Sequence, residues 1–165
     1  MQLVELSPLL PGAILDLRYK TARNITGAPL YEADFTPRLA PKAAAALQQV
    51  ARDLADQKLR LVLWDAYRPE PVQQKLRAAG TGEPYVLETS QHCLGLAVDV
   101  TLADQDGDYL DMGTDHDDFS PAAHADAAGL TAAQRTNRGL LAARMQARGF
   151  VQWPFEWWHF DFKET

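Results

Sequence analysis

Residues 37–69, PRLAPKAAAALQQVARDLADQKLRLVLWDAYRP, set a helix and a strand back to back. Leu39, Ala43, Ala46, Leu47, Val50 and Leu54 recur at helical spacing, and Pro41 falls where a first turn tolerates proline. The pattern predicts an amphipathic helix from Pro37 to Lys58. From Leu61 to Trp64, with Arg60 before it, the chain changes to the short apolar run of a buried strand, ended by Tyr67-Arg68-Pro69. Such a strand carries Asp65 to Arg68 at its tip.

Outward from there, residues 70–79 predict a short helix closed by Gly80, and 81–90 a loop. LAVDVTL, 96–102, is a second strand. Segment 104–121 is acidic and irregular, and 131–148 is a helix stopped by Gly149. The last informative stretch, FVQWPFEWWHFDF at 150–162, reads as a turn flanked by strands. Helices and strands without regular βαβ alternation predict an α+β fold, with helices packed on a central antiparallel sheet. At 165 residues and 47% hydrophobic content, with no repeat or low-complexity linker, residues 1–165 are expected to form a single domain.

A formal charge of -6 argues against nucleic acid and anionic membrane as partners, since neither polyanion is attracted to an acidic surface. A small molecule or peptide fits better. No run of about 18 apolar residues and no basic, then apolar, leader is present, so the expected location is cytoplasmic. Cys93 is the single cysteine, which excludes an internal disulfide and leaves stability to packing and a metal.

Two clusters carry chemistry. In Ser90-Gln-His92-Cys-Leu-Gly95-Leu-Ala-Val-Asp99 a histidine and a carboxylate stand seven positions apart. In a uniform strand that odd offset points them to opposite faces, so the chain must turn at Gly95 for both to meet one ion. Asp99 lies among Ala97, Val98, Val100 and Leu102, where an ionised carboxylate is costly unless it is paired or bound to metal. In Glu156-Trp-Trp-His159 an acid and a histidine three apart can share one side of a helical turn. His92, Asp99 and His159 together form the open three-ligand set of a catalytic zinc, one ion per chain, with a fourth position left for water. Glu156 is then free as general base, and Arg68 is the cation best placed for a developing oxyanion. Taken singly these residues have plainer readings. A lone histidine in an aromatic segment is more often a core residue, Asp99 could pair with an arginine, and Trp153, Trp157, Trp158 and Phe160 suit a core. The conjunction gives the motif its weight.

These residues resemble the zinc D-alanyl-D-alanine dipeptidases of the vancomycin-resistance type. The likeness runs nearly end to end, through Asp16-Leu-Arg-Tyr19, Asn24-Ile-Thr-Gly27, Pro29-Leu-Tyr31, Trp64-Asp-Ala-Tyr-Arg-Pro69, the His92 to Asp99 cluster, Asp111-Met-Gly-Thr114 with Asp117, Asn137-Arg138 and Glu156-Trp-Trp-His159. The resemblance implies zinc on His92, Asp99 and His159, Glu156 as base, and Arg68 stabilising the tetrahedral intermediate of a small dipeptide. It further implies that Asp117 holds the dipeptide's ammonium and that Ser90 and Tyr19 line the pocket near its carboxylate. Asp117, one acid among Asp115, Asp117 and Asp118, also fits a solvated loop charge.

Cys93 and Leu94 depart from the family's usual small residue and arginine. Leu94-Gly-Leu-Ala-Val-Asp99 is similar to the related D,D-carboxypeptidases that trim peptidoglycan stem peptides. A non-catalytic module that keeps zinc for structure is a third reading, which the presence of both Glu156 and Arg68 disfavours. Cys93 is expected to be a small buried thiol. Asp104-Gln-Asp106-Gly-Asp108 is expected to be a turn between strands, since its glycine is in the wrong position for a calcium loop. For His116 and His124 the sequence leaves a supporting and an exposed role equally open.

Overall fold

The computed structural model describes residues 2–79, 87 and 89–163. The expected closure of a helix at Gly80 and most of the loop at 81–90 lie outside the described residues. Helix α1 spans Pro41–Ala55, with Pro41 in its first turn and Ala43, Ala44, Leu47, Val50 and Leu54 on its buried side. It starts four residues later than Pro37 because Arg38–Leu39 are diverted into β3, which pairs antiparallel with β1, Val4–Glu5.

The helix hands the chain to β4, Leu59–Asp65, whose last five residues are all buried. Strand β5, Ala97–Asp104, lies antiparallel beside it, followed in space by β7, His159–Phe162, and β6, Phe150–Gln152. On the other edge β2, Ile14–Leu15, runs parallel to β4. The α+β class holds, with one refinement: the sheet is mixed, antiparallel except at this two-residue edge. Helix α2, Glu70–Ala78, follows the tip of β4, and α3, Ala132–Gln146, packs against α1 and β6. Thr131 and Gln134 close a reciprocal capping box at the start of α3. The core joins both of these faces: Leu47, Val50 and Leu54 of α1 meet Leu61, Leu63, Val98, Val100, Leu102, Leu141, Met145 and Phe160.

Register across the three middle strands positions the chemistry. Asp99 is paired with Asp65 on one side and with His159 on the other. A shift in β4 between Leu63 and Asp65 inserts one extra residue there, and a bulge of this kind re-aims a side chain. Asp65, Asp99 and His159 therefore lie side by side across three strands, while Val98 and Val100 alternate to the opposite, apolar face.

A candidate metal centre and its pocket

His92 is not on a strand. Gln91–Leu94 form a single 3₁₀ turn, capped by the Ser90 hydroxyl, which accepts from the His92 N–H at 3.2 Å. Gly95 follows at φ +67°, a left-handed conformation that glycine takes without cost, and its carbonyl accepts from Ala40 N at 2.9 Å. The expected reversal at Gly95 is present, and it turns His92 back over Asp99. At the other cluster the expected helical turn is instead a reverse turn between β6 and β7. Its His159 N–H bonds Glu156 O at 3.2 Å, which still sets the two side chains together. Glu156 Oε2 is 3.8 Å from His159 Nδ1.

Three donor atoms converge. His92 Nε2 is 3.2 Å from Asp99 Oδ1 and 3.1 Å from His159 Nδ1, and His159 Nδ1 is 3.0 Å from Asp99 Oδ1. Ligands bonded to a tetrahedral zinc at about 2.0–2.2 Å stand about 3.4 Å apart, so this triangle matches the ion's footprint to within a few tenths of an ångström. Tautomers agree with that use. His92 Nδ1 lies 2.6 Å from Ala66 O and His159 Nε2 lies 3.0 Å from Asp161 Oδ1, so each ring donates its far N–H outward and turns a lone pair to the centre. Two imidazole lone pairs and a carboxylate oxygen facing one another need a cation between them. His92, Asp99 and His159 could thus hold a metal ion.

The acidic surroundings favour positive charge at this centre, whether a proton or a metal ion carries it. Burial opposes charge on Asp99, but His92, His116 and His159 outweigh it and keep its carboxyl well below the usual range. Burial likewise disfavours a charged His159, yet Asp161, Asp99 and Glu156 carry its pKa up to about 10. Glu156 behaves oppositely: burial dominates and, with Asp99 nearby, lifts it to about 8 against the pull of His159 and Arg68. Arg68 is buried and fixed on three sides. Nε and Nη2 both reach Asp65 Oδ2 at 2.8 Å, Nη1 donates to Gln73 Oε1 at 2.7 Å, and Nη2 approaches Asp99 Oδ2 at 3.4 Å. Tyr31 donates to the other Asp65 oxygen at 2.5 Å. The guanidinium lies over the Tyr19 ring, 5.0 Å from its centroid.

A cavity of about 280 Å³ opens onto this centre, lined among others by Tyr19, Arg68, Ser90, Asp117, Trp153 and Glu156. Asp117 is not a solvated loop charge. Its Oδ1 accepts from Tyr19 OH at 3.0 Å and its Oδ2 from Ile25 N at 3.0 Å, with its backbone at φ +60°. The irregular segment that carries it is clamped from beneath. Arg138, buried in α3, donates to the carbonyls of Met112, Ala122 and His124 at 2.7–2.9 Å, and Asn137 donates to Asp111 O. Cys93, expected to be buried, is only half so, and burial together with Glu70 raises its thiol to about 11.

Asp65, Gln73, His116 and Asp161 were not among the predicted site residues. Asp65 had a legible signal, the same buried-strand carboxylate argument applied to Asp99. Asp161 had one as well, because residues two apart on a strand share a face. Gln73 and His116 had none.

Residues 1–165 match the family profile of peptidase family M15, the D-ala-D-ala dipeptidases. The chain belongs to this family. Among the relatives of this M15 peptidase, the D-alanyl-D-alanine dipeptidase of Escherichia coli (strain K12) is 36% identical over 167 residues, covering 99% of this chain and 86% of that protein. That of Enterococcus faecalis (strain ATCC 700802 / V583) is 32% identical over 178 residues, covering 94% and 88%. Among solved structures, the Serratia marcescens L-Ala D-Glu endopeptidase ChiX shares the fold at a TM-score of 0.51 and 12% identity, over 76% of this chain and 80% of that one. No helix among the described residues of this family member is long and apolar enough to cross a membrane.

Proposed function

We propose that residues 1–165 form one zinc peptidase domain that hydrolyses D-alanyl-D-alanine, or a similar D-configured dipeptide, to free amino acids. His92, Asp99 and His159 would hold one zinc per chain. The observation that carries the reading is the donor triangle of 3.0–3.2 Å edges at the wall of a small cavity that also holds Glu156 and Arg68. When bound there, zinc supplies a Lewis acid that lowers the pKa of water.

The residues of the chain divide the remaining work. Glu156, on the cavity wall with Oε2 3.8 Å from His159 Nδ1, takes the proton of the attacking water and returns it to the leaving amine. Arg68 meets the developing oxyanion. Its contacts to Asp65, Gln73 and Asp99 fix the orientation of the guanidinium before substrate arrives. Asp117 receives the ammonium of the dipeptide and Tyr19 holds that carboxylate in place. Ser90, on the cavity wall, is assigned to the side of the substrate carboxylate. An anion at one end of a small cavity and a cation near the scissile bond select a short zwitterion and disfavour a capped or longer chain.

The test is a panel of L,L, D,D and mixed dipeptides, an N-acetylated D-alanyl-D-alanine and one stem pentapeptide, assayed with metal analysis of the purified protein. Release of D-alanine from the free D,D dipeptide alone supports the proposal. Turnover of the pentapeptide instead makes the chain a D,D-carboxypeptidase, and bound zinc without hydrolysis of any member makes it a binding module.

A further inference from the structure

His116 lies in the acidic segment, where the sequence leaves a supporting and an exposed role open, and its side chain is fully buried. Three aromatic rings enclose the imidazole, with centroids 5.3 Å away at Trp64, 5.4 Å at Tyr19 and 5.6 Å at Trp158. Its Nε2 lies 3.1 Å from Asp99 Oδ2, and the carboxylate can only accept, so Nε2 carries the hydrogen. Arg68 Nη2 approaches the same oxygen at 3.4 Å. Oδ2 is therefore occupied by protein donors, and Oδ1 alone faces His92 and His159. On the other side of the ring, Nδ1 is buried without a hydrogen-bond partner, 3.5 Å from Asp117 Oδ1.

The backbone is bent to make this possible. Consecutive side chains ordinarily diverge, but Asp117 adopts φ +60°, a conformation that costs a non-glycine residue free energy and tends to persist where function requires it. The left-handed turn brings His116 under the metal ligand and Asp117 into the cavity wall from adjacent positions.

We infer that His116 is a positioning residue that commits Asp99 to ligation through Oδ1 alone and registers the metal centre against the ammonium anchor at Asp117. This rests on the zinc peptidase reading above. Phenylalanine at 116 would fill the same aromatic cage but leave Asp99 Oδ2 with Arg68 as its one donor among the described residues. Glutamine reaches about as far as Nε2 and keeps the donor; asparagine reaches only as far as Nδ1 and loses it.

The experiment measures zinc affinity by competition with a chromogenic chelator for the full chain and its His116→Phe, His116→Gln and His116→Asn variants. Thermal unfolding of each metal-free protein accompanies it, as do kcat and KM for D-alanyl-D-alanine at saturating zinc. Loss of an outer hydrogen-bond partner typically weakens metal binding about 10–100-fold. That loss is expected for His116→Phe and His116→Asn, with His116→Gln within about threefold of the parent and, in the first two, KM raised more than kcat is lowered. If His116→Phe does not fold, the glutamine and asparagine variants decide. Equal zinc affinity in all folded variants overturns the inference and leaves the zinc reading standing. A parent chain that holds no zinc overturns both.

Discussion

Gly95→Ala tests whether the turn between His92 and Asp99 is as constrained as the geometry says. At φ +67° an L residue with a Cβ pays about 1–2 kcal/mol. The added methyl would stand 2.5 Å from Leu3 Cδ2 and 3.1 Å from Ala40 N. The first contact is with the end of a flexible side chain and relaxes readily. The second is with backbone that donates to the Gly95 carbonyl at 2.9 Å, so relief must loosen that bond. Together these give about 2–3 kcal/mol, among the larger effects of a single methyl. With a urea slope of about 2 kcal/mol per molar the midpoint falls by about 1 M, and the melting temperature by roughly 5–10 °C. Gly95→Asn separates the causes, because asparagine visits the left-handed region more readily but carries the same Cβ. It should recover about a third of the loss. The Gly95→Ala, Leu3→Ala double variant should recover little. Urea unfolding of the metal-free proteins, followed by tryptophan fluorescence, is the assay. A Gly95→Ala protein within about 0.5 kcal/mol of the parent would refute the reasoning, as would full rescue by Leu3→Ala.

Three further changes probe the centre and its support. Arg68→Lys keeps a charge but cannot hold Asp65, Gln73 and Asp99 at once, so kcat should fall about 10²–10³-fold with a smaller change in KM, read from steady-state hydrolysis. Asp161→Ala removes the acceptor at 3.0 Å from His159 Nε2 and should weaken zinc binding about 10-fold or more, measured by chelator competition, whereas Asp161→Asn retains an acceptor and most of the affinity. Arg138→Met strips the donor from three carbonyls around the Asp117 segment and should cost about 2–4 kcal/mol in chemical denaturation, far beyond a surface arginine such as Arg23.

The main elements of the fold were legible where periodicity is strong. The Ala and Leu spacing of α1, the apolar run of β4 and the Gly95 reversal follow directly from residue types. Two-residue strands carry too little pattern to be read. Arg38 and Leu39 continue the helical spacing of α1, and only their pairing with β1 removes them from it. The parallel edge at Ile14–Leu15 is equally silent, being fixed by its place beside Val62 and Leu63. For the site, the convergence of His92, Asp99 and His159 was legible from the conjunction of the two clusters, with Asp99 a costly carboxylate in an apolar strand. His116 was not, since a histidine between aspartates looks solvated until Trp64, Tyr19 and Trp158 are seen to enclose it.

Hydrolysis of D-alanyl-D-alanine by the zinc-loaded chain and by its Glu156→Gln variant tests the central claim most directly, with metal content measured on the same samples. One zinc per chain is expected in both, with a loss of kcat of at least about 10²-fold in the variant and folding unchanged. Undiminished turnover in Glu156→Gln, or turnover unaffected by removing the metal, would contradict it.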